Sequence, residues 1–140
     1  MARSVNKSRR FFMILLLDTS TPTCHLTLVD GEKRFDEEWL AERQLAHGLL
    51  SFIDKQLNQH GYSLSDLTGI GTFRGPGSFT GLRIGLTVLN TLADGKQIPI
   101  VGTDGEEWQS TALRRLMSGE NDQIVLPLYG SEAHITKQRK

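Results

Sequence analysis

A single cysteine, Cys24, occurs in 140 residues. No disulfide can close within the chain, and a zinc site built on several thiolates is excluded. Prolines number only 4, and no apolar run approaches the roughly 18 residues of a membrane-spanning helix. Arg9-Arg10 followed by Phe11 to Leu17 imitates a secretion signal. That run is short, ends at Asp18 and lacks a small-residue cleavage site, so it reads as a buried strand, and a reducing cytoplasm is the expected compartment. Net charge is lacking too, with 16 basic side chains against 16 acidic ones. The balance conceals an asymmetry. Arg3, Lys7, Arg9 and Arg10 stand in the first ten residues, and Lys137, Arg139 and Lys140 in the last four. Setting aside those seven and Glu132 leaves residues 11 to 130 with 9 basic against 15 acidic side chains. A body of that sign repels phosphate backbones, which argues against strong direct nucleic-acid binding by the core. The basic ends read as solvated tails that could touch RNA beside a partner.

What is present fits one globular domain. Hydrophobic residues make up 38% and glycines number 14, and a chain of this length buries roughly two thirds of its unfolded surface. Phe12 to Leu17 is apolar throughout, as in a central strand covered on both faces, and Asp18-Thr19-Ser20-Thr21-Pro22 closes it with turn chemistry. His25 to Asp30 alternates, and Asp30-Gly31 turns it into a third strand over about Lys33 to Leu40. From about Ala41 to Gln59 the period becomes helical, with Leu45, Leu49, Phe52, Ile53 and Leu57 in one stripe. A strand over Leu67 to Phe73, a helix from about Ser78 to Ala93, a strand over Ile98 to Val101 and a helix over about Glu106 to Met117 follow. The last apolar run is Ile124 to Tyr129. This order, a three-strand antiparallel meander extended by parallel crossovers with helices on both faces, matches the ribonuclease H-like, actin-like ATPase architecture.

The most informative segment is Arg74-Gly75-Pro76-Gly77-Ser78-Phe79-Thr80-Gly81-Leu82-Arg83-Ile84-Gly85-Leu86, a glycine-rich turn running into a helix. Gly75 and Gly77 permit a sharp strand-to-helix turn, and Ser78 is placed to cap the first helical turn. Gly81 and Gly85, four apart, share a helical face, and each costs roughly 1 kcal/mol against alanine in a helix interior, which implies a packing reason. With Gly48 on the preceding helix they suggest glycine notches at which two helices of one chain meet two of another. The alternative is that these glycines serve only helix-on-sheet packing within the chain. The candidate partner face is Leu45, Gly48, Leu49, Phe52, Gly81, Leu82, Gly85, Leu86 and Leu89.

The run GPGSFTGLRIGL, with LLLDTST at the first strand and IPIVGT downstream, resembles the TsaB (YeaZ) family over about residues 12 to 104. His47 stands where that family commonly has a histidine, and Leu126-Pro127-Leu128-Tyr129 resembles its closing strand. Beside the basic flexible tail over 1 to 10 read from the charges, the resemblance implies a first lobe over 11 to 104 and over 105 to 140 a remnant of a second lobe that the family has at greater length. It implies a non-catalytic scaffold in tRNA threonylcarbamoyladenosine modification. Such a scaffold supports a catalytic TsaD-type subunit, works with a TsaE-type ATPase and meets tRNA only through the complex. No cofactor is required. A standalone homodimeric module is the other non-enzymatic reading.

Enzymatic alternatives are weaker on the residues. A ribonuclease H-like nuclease needs several carboxylates around two metals, and only Asp18, Glu42 and Asp104 come near the required places. An actin-like ATPase would hold ATP or ADP at Asp18, Thr19 and Ser20, yet that turn lacks the glycine that lets backbone approach phosphate. Asp18 equally fits a turn carboxylate accepting local amides. Ser78 is not in a nucleophile elbow and has no triad. His25, His47, His60 and His134 show no metal-ligand spacing, so each reads as an ordinary surface or capping residue.

Overall fold

The computed structural model describes residues 12–129. The basic tail expected over residues 1 to 10 and the basic C-terminal residues lie outside them.

Strand β1 (Met13–Asp18) is the continuous apolar run, buried on both faces. It pairs antiparallel with β2 (Thr23–Asp30), which pairs antiparallel with β3 (Lys33–Leu40). On its other side β1 pairs parallel with β4 (Gly69–Phe73), and β4 pairs parallel with β5 (Ile100–Thr103). The sheet order is therefore β3-β2-β1-β4-β5. The meander with parallel extensions expected from the sequence is present, and β5 lies two residues later than its expected start.

Two helices cover one face, α1 (Leu45–Gln59) and α2 (Phe79–Lys96). Met13, Leu15, Leu17, Leu26, Leu28 and Ile70 meet Leu49, Ile53, Leu57, Leu86 and Leu89 there in one core. A short 3-10 turn, Glu42–Gln44, precedes α1, so the α-helix starts four residues after the expected Ala41.

The other face is covered by α3 (Trp108–Met117), which presents Ala112 and Leu116 to Ile14, Leu16 and Val101. Two strand glycines permit this approach. A methyl group on Gly71 would stand 2.7 Å from a Leu16 methyl and 2.8 Å from the Ala112 Cβ, closer than any real contact. Gly69 is similarly crowded by Ile14 and Leu116. Residues 105 to 129, set apart as a second-lobe remnant in the sequence reading, thus include a helix packed on the first lobe's own sheet.

The expected closing strand does not form. Residues 121–129 join no ladder and bend at Gln123 and Ile124, where Gln123 takes φ 69; Val125 is buried, while Ile124 and Leu126 are 64% and 69% exposed. Side-chain bonds, with isolated backbone bonds from Asp122 to Ile100 and from Leu128 to Arg74, hold this segment in place of a ladder, as described below.

Candidate functional site

The turn after β1 and the N-terminus of α2, read from sequence as separate candidate sites, lie against each other. Asp18 Oδ1 accepts from the Ser20 amide at 2.8 Å, closing a local turn. The Thr19 hydroxyl donates to the Gly81 carbonyl at 2.8 Å, and the Ser78 amide donates to the Ser20 carbonyl at 2.8 Å. Ser78 caps α2 as expected, its Oγ accepting from the Gly81 amide at 3.2 Å. Thr19 and Ser20 are buried, so the groups considered for a nucleotide are engaged with the chain's own helix.

This contact explains the glycine row. A Cβ on Gly77 would lie 2.4 Å from the Ser20 Cβ, one on Gly81 2.3 Å from the Thr19 carbonyl oxygen, and one on Gly85 2.1 Å from the Thr19 hydroxyl. The row is a slot for the β1 turn, not an open notch for another protein. Gly48 is likewise filled from within, since its Cβ would stand 2.7 Å from the Trp39 indole. That indole also stacks at a tilt on Phe52, with centroids 5.1 Å apart.

The leucines of the candidate partner face are core residues. Leu45, Leu49, Phe52, Leu82, Leu86 and Leu89 are all buried, and all but Leu82 belong to the cluster beneath the sheet. The expectation that these residues form a face free for a partner fails because one wide helical face of α2 serves both the sheet and the β1 turn.

A different surface is left exposed. Ala46 of α1 and Phe79, Thr80, Arg83, Ile84, Thr87 and Val88 of α2 line a groove of about 480 Å³. Phe79 is 50% exposed, as is 49% of Leu50 on the outer face of α1. The Arg83 guanidinium lies over the Phe79 ring, 5.2 Å from its centroid, within cation–π range. A second hollow, about 660 Å³, opens at the N-terminal ends of both helices around Pro22, Leu40, Arg43, Gln44 and Thr80.

Residues 121–129 form a strap across the β5 edge and the flank of α2. The Ile100 amide donates to Asn121 Oδ1 at 3.0 Å, and the Gly102 amide to Asp122 Oδ2 at 2.9 Å. Arg115 reaches Asp122, Glu120 and the Gly102 carbonyl. Burial raises the Asp122 pKa, but hydrogen bonds from Arg115 and the Gly102 amide, with the Arg115 charge, outweigh it and hold the carboxyl below its ordinary value. Farther on, the Asn90 amide grips the Val125 backbone, the Leu128 amide donates to the Arg74 carbonyl at 2.7 Å, and Tyr129 stacks at a tilt on Phe79, centroids 4.8 Å apart. Gly75, at φ 123, lets the Leu128 carbonyl pass where any Cβ would collide with it at 2.2 Å. The sequence reading missed this strap. Its one signal was Asn90, a polar residue between Leu86, Leu89 and Ala93 on an otherwise apolar side of α2.

The acids weighed for a metal site are dispersed. Asp104 pairs with Arg74 at 3.7 Å, and Glu42 sits in the 3-10 turn at φ 47. Among the described residues no three His, Cys, Asp or Glu side chains gather as a metal site. His60 Nε2 is 3.0 Å from Glu37 and its ring stacks on Phe35; His25 and His47 are exposed, and His134 lies outside the described residues. The Cys24 thiol is buried, and burial together with the nearby Asp18 charge pushes its pKa up to about 12. Among the described residues no helix is long and apolar enough to cross a membrane.

A meander extended by parallel strands, with helices on both faces and a glycine slot receiving the first turn, defines a lobe of the ribonuclease H-like, actin-like class. A family model described as "TsaD: tRNA N6-adenosine threonylcarbamoyltransferase" matches residues 39–128. The chain is 36% identical over 109 residues to the tRNA threonylcarbamoyladenosine biosynthesis protein TsaB of Haemophilus influenzae, covering 77% of this chain and 46% of that one. To the TsaB protein of Escherichia coli it is 38% identical over 90 residues, 64% of this chain and 38% of that one. The solved structure of YeaZ from Pseudomonas aeruginosa superposes with a TM-score of 0.62 at 33% identity, covering 66% of this chain and 44% of that chain. The chain belongs to the TsaB (YeaZ) family. It spans less than half the length of these curated relatives.

Proposed function

We propose that this chain is a non-catalytic docking subunit in tRNA threonylcarbamoyladenosine biosynthesis, and that it holds a TsaD-type catalytic subunit through the exposed outer face of α1 and α2. The observation that carries this reading is the groove beside Phe79: an apolar, arginine-flanked surface on helices whose other faces are already packed. Half-exposed Phe79 and Leu50 add apolar area that a partner would cover. The dispersal of Asp18, Glu42 and Asp104 and the engagement of Thr19 and Ser20 favour a supporting role over chemistry performed here. In this reading a TsaE-type ATPase joins the pair, tRNA is met through the assembly, and the compartment is the cytoplasm, where a single buried thiol stays reduced.

The test is light scattering after size exclusion, on the chain alone and mixed with the TsaD-type subunit of the same organism. A heterodimer is expected. Thr87→Arg changes an exposed groove position, so it should weaken the complex at least tenfold, about 1.4 kcal/mol, with little change in melting temperature. Unchanged affinity would place the partner on another face. If the chain alone forms a homodimer, adding the partner should convert it to heterodimer, because both use the same surface.

A further inference from the structure

The strap ends on the docking groove. Its last described residue, Tyr129, stacks on Phe79, and Phe79 with Arg83 lines one wall of that groove. Phe79 is the first residue of α2, where the helix offers few neighbours to fix a ring, and half of it faces solvent. Its ring meets the Arg83 guanidinium, 5.2 Å from the centroid, and Tyr129.

Tyr129 is itself held from within the chain. The Asn90–Val125 amide pair and the Leu128-to-Arg74 bond fix the backbone up to the residue before it. Gly75 makes room for that path, since any side chain there would strike the Leu128 carbonyl. A continuous set of contacts thus runs from the middle of α2, along the strap, to the groove wall.

From this chain of contacts we infer that the strap is a positioning element of the docking surface: Tyr129 holds the Phe79 ring, with Arg83 stacked on it, in the orientation the partner meets. The partner's matching feature is an apolar side chain flanked by a carboxylate, which complements a ring bearing an exposed guanidinium. Tyr129 acts through Phe79 and is a positioning residue. The inference rests on the docking reading given above and deepens it.

The experiment uses the full chain with 4-fluorophenylalanine placed at Phe79, comparing the unsubstituted protein, Tyr129→Ala and Tyr129→Phe. In the chain alone, Tyr129→Ala should shift and sharpen the fluorine resonance as the ring loses its neighbour, while Tyr129→Phe keeps it near its original position. Affinity for the TsaD-type subunit should fall about fivefold in Tyr129→Ala, in the range of one aromatic pair, and recover in Tyr129→Phe, with melting temperatures within a degree or two of each other. A fluorine shift without loss of affinity overturns the inference while leaving the docking reading standing. An unmoved resonance also overturns it, because the two rings are then not in contact in solution. If the unsubstituted chain does not bind the TsaD-type subunit, the docking reading fails and this inference fails with it.

Discussion

Asn90 and Val125 are joined as two strand residues would be. The Asn90 Nδ2 donates to the Val125 carbonyl at 3.0 Å, and the Val125 amide donates to Asn90 Oδ1 at 2.9 Å. One side-chain amide on a helix replaces a rung of a ladder, and buried Val125 then fits over Gly102, whose Cβ would stand 2.3 Å from a Val125 methyl. The segment resembling a family strand is thereby held flat on the domain without pairing into its sheet.

Asn90→Ala removes both bonds and leaves a buried amide and carbonyl without partners, so it should cost about 2 kcal/mol in chemical denaturation. Asn90→Asp keeps the acceptor but turns a second carboxylate oxygen toward the Val125 carbonyl. Its loss should be larger at neutral pH and shrink once acid protonates the new carboxyl. Equal stability of all three proteins would mean that the strap does not contribute to folding.

The glycine slot predicts a paired effect. Gly85→Ala gains helix propensity worth about 1 kcal/mol, but the new methyl falls on the Thr19 side chain, and overpacking costs about 1–3 kcal/mol. Net destabilisation is expected. Thr19→Ala removes the hydroxyl and methyl that lie 2.1 and 2.9 Å from that Cβ, so Gly85→Ala should be less harmful in a Thr19→Ala background than alone. Gly81→Ala meets backbone, the Thr19 carbonyl oxygen at 2.3 Å, and should show no such relief. A double-mutant cycle by thermal unfolding measures both couplings.

Cys24 should be inert in the folded chain. With its pKa pushed up to about 12 by burial and by Asp18, almost no thiolate exists at pH 8, and labelling by a thiol reagent should follow global unfolding. The linkage has a definite sign. The unfolded thiol loses its proton above the ordinary value of 9.0 while the folded one retains it up to about 12. Stability present below pH 9 therefore falls as pH rises across that window. Cys24→Ala should flatten the decline, which denaturation curves at alkaline pH would register.

Asp122 predicts the opposite limb. Its folded pKa lies below 3.8, so the unfolded carboxyl takes up a proton first on acidification. Its contribution is present above 3.8 and is lost as pH falls through the lower folded value. Asp122→Asn can still accept from the Gly102 amide but gives up the Arg115 ion pair, so it should reduce stability at neutral pH and make the acid limb shallower. An acid limb identical to the unsubstituted protein's would show that other carboxylates dominate it.

The sequence by itself determined the strand and helix order, because β1 is apolar at every core position, β2 alternates, and α1 and α2 repeat at helical spacing. The motif GPGSFTGLRIGL with LLLDTST also determined the family, since side-chain identities at a close-packed turn leave little freedom. Only the tertiary structure decided what the glycines face. Helical spacing shows that Gly81 and Gly85 share a side of α2, but whether that side meets a partner or the chain's own Thr19 depends on where β1 ends in space. The same holds for Gly48 on α1 and Trp39 on β3, nine positions apart, whose contact depends on how helix and strand pack. Periodicity marked Leu82, Leu86 and Leu89 as a stripe and could not say that sheet and turn together would cover it, which left exposed Phe79, Arg83 and Thr87, with half-buried Ile84 and Val88, as the free surface. The strap was nearly illegible for a related reason: its hold depends on bonds from Asn90, Arg74 and Arg115 across long separations, and beyond the polar Asn90 on the apolar side of α2 the pattern of neighbours in sequence does not point to them.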